Sequence, residues 1–290
     1  MKKTIKQVIK PLYAVLPKNL KVKIGYFRIY KKWPNTSYPK TFNEKVLARI
    51  IHDRNELYPI LADKYLVRDF IQKTVGEGVL IPLIAATEKP IDLLEIQDWS
   101  NCVLKPNHGA GMVKIFDENP EFDLKKVNVG LAETWLKQDY SKVSDEWHYS
   151  KIKPLILFEK KITKNSEIPR DYKFHCFKQK NGSFKYILQL VDGRFGEESR
   201  GYYNNSFEEC IWHHGAGKHE LSNDEQRFIP KMLELNQKIL NAVDISYLRI
   251  DWYLVDGKIY FGELTLTPGA GRTNEFGESL EKIMGNYWVD

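Results

Sequence analysis

Two stretches of the sequence place charged side chains where they could act on a phosphate-bearing molecule. The first, VLKPNHGAG (103–111), puts Lys105 at the end of an apolar run and follows it with a loop that holds Gly109 and Gly111. A lysine beside a backbone that can bend closely around a guest suits a phosphate group. The loop lacks the Gly-Lys-Ser/Thr of the P-loop and the third glycine of the dinucleotide fingerprint. It therefore predicts a phosphate site of another kind.

The second stretch, YLRIDWYLVDGKIYFGELTL (247–266), predicts a hairpin of two strands joined at Asp256-Gly257. Because alternate residues of a strand share a face, Arg249 and Asp251 point the same way, and the hairpin brings Asp251 beside Glu263. Two carboxylates on one face fit a Mg²⁺ ion, which takes its other ligands from water and nucleotide phosphates. A salt-bridge ladder between the two strands is the alternative that the hairpin alone leaves open.

The elements that must position these residues form an α+β pattern. Thr41-x-x-Glu44 and Ser222-x-x-Glu225 are capping boxes that predict helix starts. The apolar spacing predicts a further helix from Pro59 to about Lys73. Short apolar runs bounded by polar or turn residues predict strands on both sides of the glycine loop, and a series of strands follows from Lys153.

Composition excludes several classes of protein. The chain has 290 residues, of which 42% are hydrophobic and 28% charged, as in ordinary globular proteins. Its longest apolar run, VLIPLIAA (79–86), is too short to span a bilayer. Lys6, Lys10 and Pro11 interrupt what would be the apolar part of a signal peptide. The three cysteines are far apart and form no CxxC pair, which favours a reducing compartment, so we expect a cytoplasmic protein.

The N-terminal segment is strongly basic. Residues 1–45 hold twelve Lys/Arg and one acid, whereas the rest of the chain holds 32 basic and 37 acidic residues. Interleaved apolar residues allow three interpretations: peripheral contact with an anionic membrane surface, a grip on an anionic polymer, or amphipathic helices packed on the body. No nucleic-acid partner is expected, because no recognised binding motif accompanies the charge.

Five stretches taken together resemble a known family between about residue 40 and residue 272. They are DRNELYPILADKYLVRDFI, VLKPNHGAG, DEWHYSKIKP, DYKFHCF and YFGELTLTPGAG. They look like the TupA-like branch of ATP-grasp proteins, which is associated with polysaccharide and teichuronopeptide synthesis in bacteria. The resemblance implies the ATP-grasp fold, in which two sheet-bearing lobes clasp ATP. We accordingly expect a basic helical extension (1–58), a small lobe with the glycine loop (59–152) and a C-terminal lobe with the Mg²⁺ site (153–290).

The resemblance also implies a nucleotide site. Two lysines are expected to reach the ATP phosphates, the glycine loop to cover them with its backbone N–H groups, a glutamate and the backbone after it to read the adenine edge, and one aspartate to contact the ribose. In that order the residues are Lys64 and Lys105; Asn107, His108, Gly109, Ala110 and Gly111; Glu159, Lys160 and Lys161; and Asp171. His108 is equally expected to cap a turn.

The remaining roles concern the metal and the substrate. Asp251 and Glu263 are expected to hold Mg²⁺, and Arg249 to face the carboxylate that is phosphorylated. Thr265 is the third residue assigned to the metal by the resemblance. It stands where many ATP-grasp enzymes have an asparagine, and since a hydroxyl is the weaker Mg²⁺ ligand, either one or two ions are expected. One of Arg194 and Arg200, which flank a glycine-containing turn, is expected to bind an acidic substrate or the γ-phosphate, since the planar guanidinium suits both.

The activity implied by the resemblance is that of an ADP-forming carboxylate–amine ligase. An acyl phosphate made from ATP and a carboxylate would be converted to an amide by an amine. By family context the carboxylate belongs to a uronic acid of a bacterial surface (capsule) polysaccharide or its precursor, and the amine to an amino acid. A sugar kinase with the same ATP site, a glycosyltransferase and a non-catalytic ATP- or glycan-binding protein remain alternatives. The segment EWHYS (146–150) shares the resemblance but has no implied role.

Overall fold

Two antiparallel sheets carry the fold in the computed structural model, which describes residues 16–163, 168–194, 196–208, 210–214 and 219–289. The helices are α1 (Lys18–Tyr30), α2 (Phe42–His52), α3 (Leu57–Ala62), α4 (Leu66–Val75), α5 (Phe122–Leu136), α6 (Tyr140–Ser144), α7 (Asn223–Asn241) and α8 (Gly277–Tyr287). The strands are β1 (Leu83–Thr87), β2 (Cys102–Pro106), β3 (Lys114–Phe116), β4 (Ile156–Lys160), β5 (Asp171–Lys178), β6 (Phe184–Asp192), β7 (Ser199–Tyr203), β8 (Cys210–His214), β9 (Tyr247–Val255) and β10 (Lys258–Thr265).

The smaller sheet has four strands in the order β1-β4-β2-β3. Successive side chains of its strands point to opposite faces of the sheet. Cys102, Leu104 and Phe158 face a core that they share with Trp135 of α5. The opposite face therefore carries the residues between them, including Lys105 of β2. This alternation aims a lysine away from the core and toward the second sheet.

The larger sheet has six strands in the order β10-β9-β5-β6-β7-β8. One face is apolar and lies under α7 and α4, with Phe174, Leu188 and Ile250 in that core. The other face is polar at one end, where Lys173 of β5 pairs in register with Asp251 of β9. The polar end is the part of the sheet that the smaller lobe covers.

Helices α1, α2 and α8 cover the opposite, apolar end of the same face of the larger sheet. Val22 and Tyr26 of α1 and Phe42 of α2 are almost fully buried there, against Phe177 of β5 and Met284 of α8. The N-terminal part of the chain that the structure describes is thus packed into the larger lobe. Residues 1–15 of the predicted basic extension lie outside the described residues.

The structure corrects the predicted domains in two places. Strand β4 (Ile156–Lys160) lies inside the smaller sheet, so the smaller lobe extends past the predicted boundary at residue 153. Residues 18–58 are integrated with the larger lobe because α1 and α2 bury their apolar faces on it, so they do not form a separate extension. The amphipathic-helix interpretation therefore holds for α1 and α2.

Local sequence signals explain most element boundaries. Both predicted capping boxes form, at Thr41 and at Ser222. The hairpin turn has positive φ at Asp256 and Gly257, as its sequence predicts. The helix predicted from Pro59 to Lys73 is wrong, however, because Asp63 interrupts it: its Oδ1 accepts the N–H groups of Tyr65 and Leu66 at 2.8 and 3.2 Å.

Among the described residues, no helix is long and apolar enough to cross a membrane.

Candidate active site

A cavity of about 220 Å³ lies between the two sheets. Its walls include apolar side chains from both lobes, such as Ile81, Val103 and Ile162. Charged residues form the other part of its lining: Lys64, Lys105, Glu159, Lys160, Lys161, Lys173, Arg194, Asp251 and Glu263. An apolar slot that ends in cations and carboxylates can hold a flat base at one end and phosphates at the other.

Lys64 is positioned by the break between α3 and α4. Its Nζ donates a hydrogen bond to the carbonyl oxygen of Gly109 at 2.6 Å and lies 3.9 Å from Oε2 of Glu263. Burial lowers the pKa of the Lys64 ammonium, against the opposing effect of Glu263. The lysine thus connects the glycine loop of the smaller lobe with the acidic floor of the larger one.

Lys105 and Glu159 form an ion pair across β2 and β4. The Lys105 Nζ lies 2.5 Å from Oε2 of Glu159, and the Arg68 guanidinium lies 3.4 Å from Oε1. Glu159 is only 4% exposed, so its carboxylate is compensated by two cations rather than by water. Arrival of a phosphate at Lys105 would therefore compete with Glu159 for the same ammonium.

Of the predicted phosphate loop (107–111), residues 109–111 line the cavity, together with Met112 and Val113. Asn107 serves the scaffold instead: its side chain donates to Asp63 Oδ1 and to the Lys153 carbonyl at 3.0 Å each, and its N–H donates to the Leu155 carbonyl. His108 is buried, with Nε2 3.2 Å from the Gln138 carbonyl, and burial lowers its pKa. The side chains of both residues are thus engaged within the protein.

The predicted adenine hinge is also changed. The N–H groups of Lys160 and Lys161 donate to the carbonyls of Pro82 and Asn101 at 2.9 and 2.8 Å. They are therefore engaged within the protein, and any contact with a base falls to the carbonyl groups of this segment or to Ile162, which lines the cavity.

Asp251 and Glu263 lie side by side on the cavity floor as direct cross-strand partners. Arg249 donates to Asp251 through Nε and Nη2 and to Glu263 through Nη2, each at 2.8 Å, and Lys173 Nζ lies 2.6 Å from Asp251 Oδ2. Burial opposes ionisation of Glu263, yet Lys64 and Arg249 together hold its pKa well below the usual range. The Glu263 carboxylate is thus held as an anion beside Lys64.

This donor set fits a magnesium ion. Mg²⁺ prefers oxygen ligands and is commonly held by one or two carboxylates together with substrate phosphates. The Thr265 hydroxyl donates a hydrogen bond to Glu263 Oε1 at 3.2 Å, so it lies next to the Glu263 carboxylate. No group of three or more His, Cys, Asp or Glu side chains forms a metal cage within the described ranges. The site therefore suits an ion that arrives with a nucleotide.

A second cavity of about 340 Å³ adjoins the first and shares Lys173, Arg194 and Glu263 with it. Asp171 lines this cavity and is absent from the lining of the first. Its Oδ1 lies 3.1 Å from Arg194 Nη1 and 3.4 Å from Lys173 Nζ. The buried Asp171 carboxylate thus anchors two cations of the adjoining cavity, and the ribose contact that the family resemblance implies for it stays a prediction.

The two candidate arginines occupy different positions. Arg194 donates to Tyr253 OH at 2.8 Å as well as to Asp171, and it lines both cavities. Arg200 lines only the second cavity and lies 2.5 Å from Oε2 of Glu275, with Glu198 as a further partner. Of these two arginines, Arg194 is thus the one that reaches the first cavity.

Sequence reasoning missed two residues of the site. Lys173 pairs with both Asp171 and Asp251. Its position two residues after Asp171 on a strand was the available signal, since the two must share a face. Tyr140 was also missed: its ring lies against Gly109, so that a Cβ added at the glycine would come within 2.6 Å of it. It supports the loop from beneath.

The segment EWHYS (146–150) contacts Tyr140, which lies against the glycine loop: the ring centroids of Tyr149 and Tyr140 are 4.9 Å apart. Glu146 is buried, accepts a hydrogen bond from the Thr267 hydroxyl, and has its pKa raised to about 7 by burial. His148 is buried as well, and burial lowers its pKa to about 3, so this imidazole is neutral. The segment thus holds an uncharged histidine and a carboxyl of raised pKa behind the site.

A slot between two antiparallel sheets, with lysines facing a carboxylate pair, is the arrangement of ATP-grasp proteins. The chain belongs to the TupA-like ATP-grasp family, whose sequence model matches residues 44–289. No curated protein matches the chain.

Several solved structures are similar to the chain. A D-alanine–D-alanine ligase from Helicobacter pylori is 14% identical with a TM-score of 0.48, covering 80% of this chain and 62% of its own. An L-amino acid ligase from Bacillus licheniformis is 14% identical with a TM-score of 0.48, covering 99% and 62%. A D-alanine–D-alanine ligase from Bacillus anthracis, solved with ATP, is 18% identical with a TM-score of 0.39, covering 72% and 55%. The chain thus spans less than two thirds of each of these proteins.

Proposed function

We propose that this protein is an ADP-forming carboxylate–amine ligase. The observation that carries the proposal is the meeting of the two cavities: Lys173, Arg194 and Glu263 line both. A nucleotide phosphate in the first cavity and a carboxylate in the second would come together at these residues. Membership of the ATP-grasp family supports the nucleotide half of the proposal.

The residues present fit ATP. Ile81, Val103 and Ile162 offer apolar surface for a base, and Lys64 and Lys105 offer ammonium groups for phosphates. Asp251 and Glu263 would hold Mg²⁺, which supplies positive charge to the transferred phosphoryl group.

The chain contributes positioning and charge to the reaction. An oxygen of the acceptor carboxylate attacks the γ-phosphorus, the bond from that phosphorus to the bridging oxygen breaks, and ADP leaves. Arg249 and Lys173 orient the carboxylate for this attack. The amine then attacks the carbonyl carbon of the acyl phosphate, loses a proton and expels phosphate, so that an amide forms.

Arg249 is suited to this role because it is already desolvated and ionised. The adjacent carboxylates of Asp251 and Glu263 raise its pKa above the usual range despite its burial. If Asp251 and Glu263 held Mg²⁺, the Arg249 guanidinium would face the acceptor cavity that it lines. The acceptor carboxylate would replace the acids as its partner.

The family context supports an acidic sugar acceptor, and the second cavity offers cations that can bind its carboxylate. The cavity is lined by four cations and four carboxylates: Lys173, Arg194, Arg200 and Arg249, and Asp171, Glu198, Glu263 and Glu275. We infer that the acceptor is a uronic acid of a bacterial surface polysaccharide or its precursor, and that the amine is an amino acid.

Release of ADP and phosphate tests the proposal directly. The protein is incubated with Mg-ATP, a set of uronic acids and pooled amino acids, and the product mass is read from each reaction. A ligase requires both acid and amine and gives a product lighter than their sum by one water. Release with a sugar alone and a product heavier by a phosphate group would show a sugar kinase instead. Silence would favour a non-catalytic binding protein.

We further propose that the protein is cytoplasmic and that α1 and the residues after it contact the inner face of the membrane. Phe27 of α1 and Trp33 after it are exposed and stack with ring centroids 5.3 Å apart, and Tyr38 is 78% exposed. Residues 16–43 contain no acid. Exposed aromatic residues among basic ones suit the interface of an anionic membrane.

A further inference from the structure

The second cavity extends across most of the larger sheet. Its lining comes from five adjacent strands, with Glu263 on β10, Arg249 on β9, Lys173 on β5, Gln189 on β6 and Arg200 on β7. Four strand spacings of about 4.8 Å span roughly 19 Å. One extended amino-acid residue spans only about 3.6 Å, so the cavity is longer than a single small acceptor requires.

The two ends of the cavity differ in charge. The end near the nucleotide cavity holds three cations, Lys173, Arg194 and Arg249, and two carboxylates, Asp171 and Glu263. Asp251 and Glu263, the acids placed to take a metal ion, pair with Arg249, while Asp171 pairs with Lys173 and Arg194. The far end holds one cation, Arg200, between the carboxylates of Glu198 and Glu275. A carboxylate is therefore suited to the near end, while a second carboxylate at the far end would face two like charges.

The far end is suited to hydroxyl groups. A guanidinium only donates hydrogen bonds and an ionised carboxylate only accepts them, whereas a hydroxyl does both. A hydroxyl can thus bridge Arg200 and Glu275, and the hydroxyl of Thr273 lines the same cavity. An ammonium would satisfy the acids but would face Arg200 as a like charge.

Gln189 in the middle of the cavity is held by a buried relay. Its Oε1 lies 3.0 Å from His175 Nε2, and His175 Nδ1 lies 2.8 Å from Tyr247 OH. Burial lowers the pKa of His175 to about 3, so the imidazole is neutral. It can therefore accept from the tyrosine and donate to Gln189 Oε1. The amide nitrogen of Gln189 is then the group left to face a ligand.

We propose that the acceptor is an acidic saccharide of at least two units, with its reacting carboxylate at Arg249 and Lys173 and the hydroxyls of its second unit at Arg200, Glu198 and Glu275. The proposal rests on the ligase function in taking the near end as the reacting end. It adds that Arg200 and Glu275 determine specificity by contacting the unit that does not react.

Binding to the full chain tests the proposal, with Mg²⁺ and a non-hydrolysable ATP analogue present. Calorimetry compares D-glucuronate, glucuronyl-β-1,3-glucose and glucuronyl-β-1,4-glucose, and triglycine as a ligand with an ammonium at its far end. We expect at least one disaccharide to bind at least tenfold more tightly than glucuronate, and triglycine to bind no better than glucuronate. Equal affinity for glucuronate and both disaccharides, or tightest binding of triglycine, would overturn the proposal.

Substitutions at Arg200 and Glu275 test whether these residues cause the preference for disaccharides over glucuronate. Arg200→Ala and Glu275→Gln should reduce the tenfold preference to less than threefold, and Arg200→Lys should give an intermediate value because it keeps the charge but loses the fork. Arg227→Ala is the matched control, since Arg227 is exposed on α7 and pairs only locally with Asp224. Thermal melting of each variant confirms folding. A variant that weakens glucuronate and the disaccharides equally would indicate a structural role and contradict the proposal.

A parallel reaction separates this proposal from the ligase proposal. Hydroxylamine is used as a generic amine, because it converts an acyl phosphate to a hydroxamate whatever the natural amine is. If the disaccharides bound more tightly than glucuronate but no hydroxamate formed, the ligase proposal would be refuted and the proposed binding site for a second sugar unit would stand. Hydroxamate from glucuronate and the disaccharides at equal efficiency would keep the ligase and refute the extended site.

Discussion

Asp251 on β9 and Glu263 on β10 are direct cross-strand partners, and one guanidinium, that of Arg249, bonds to both. Two buried carboxylates side by side repel each other unless cations compensate them. Lys64, Lys173 and Arg249 provide that compensation. These cations hold the pKa of Glu263 well below its usual range despite burial, and they are the groups that would face phosphate and carboxylate if an ion were bound.

Glu263→Gln should abolish turnover with Mg-ATP. The amide keeps the shape of the side chain but removes the charge that would hold the ion, so we expect a loss of at least about a hundredfold in kcat. ADP release measured over a range of Mg²⁺ concentrations checks this.

The fold should survive this substitution because Arg249 keeps its two bonds to Asp251. Glu278→Gln on α8 is the control, since Glu278 is exposed and pairs with Lys282 of the same helix. If the Glu263→Gln protein had a turnover within threefold of that of the unchanged enzyme, Glu263 would not be a ligand of the metal ion.

Gly109→Ala and Gly111→Ala should separate two reasons for glycine in the loop. Both residues have positive φ, +79° and +78°, so alanine is strained at each by about 1–2 kcal/mol. Only at Gly109 would the new Cβ also meet the ring of Tyr140, at 2.6 Å. We expect Gly109→Ala to weaken ATP binding by at least tenfold and Gly111→Ala by distinctly less, as measured by calorimetry.

Equal effects of the two loop substitutions would show that backbone strain alone matters and that Tyr140 does not shape the loop. Tyr140→Ala combined with Gly109→Ala provides a further control. It removes the ring contact but keeps the strain, so ATP affinity should then approach that of the Gly111→Ala protein.

Local signals in the sequence predicted much of the fold. The capping boxes at Thr41 and Ser222 and the Asp256-Gly257 hairpin are short-range patterns whose geometry depends on neighbouring residues only, and each formed. The pairing of Asp251 with Glu263 followed from the hairpin and the period of two. These features needed no knowledge of tertiary contacts.

The environment of Asn107 and the place of β4 depended on long-range contacts, which local patterns do not show. Asn107 stands in a glycine loop, but its side chain meets Lys153 and Asp63, which only the folded chain brings near. Strand β4 was placed with the later strands by its position in the chain, whereas it pairs with β1 and β2. In both cases the partner is more than forty residues away in the chain, beyond the reach of local patterns.

Glu146→Gln should change how stability depends on pH. The carboxyl has a pKa of about 7 in the folded protein against an ordinary value of 4.5, because it is buried. Between those values the folded state keeps a proton that the unfolded state has lost, so stability falls as pH rises from about 4.5 to 7 and stays lower above pH 7. Relative to the unchanged protein, Glu146→Gln should therefore gain about 1–3 kcal/mol between pH 5 and pH 8.

Urea unfolding at several pH values between 5 and 8 measures this difference. Glu234→Gln is the control, because Glu234 is exposed and its two lysine partners lower its pKa to about 2, outside the pH range of the experiment. Parallel pH profiles for the unchanged and Glu146→Gln proteins would mean that Glu146 is ionised throughout.

Phe27→Ser combined with Trp33→Ser should weaken binding to anionic vesicles. Deletion of residues 1–40 is unsuitable as a test, because Val22 and Tyr26 of α1 are each only 1% exposed and belong to the core. The two aromatic side chains are exposed and surrounded by basic residues, so their loss should reduce co-sedimentation with phosphatidylglycerol vesicles severalfold and leave ATP binding unchanged. Phe122→Ser with Val127→Ser on α5, also exposed, is the matched control. Equal binding by all three proteins, or equal binding to neutral phosphatidylcholine vesicles, would refute membrane contact through α1.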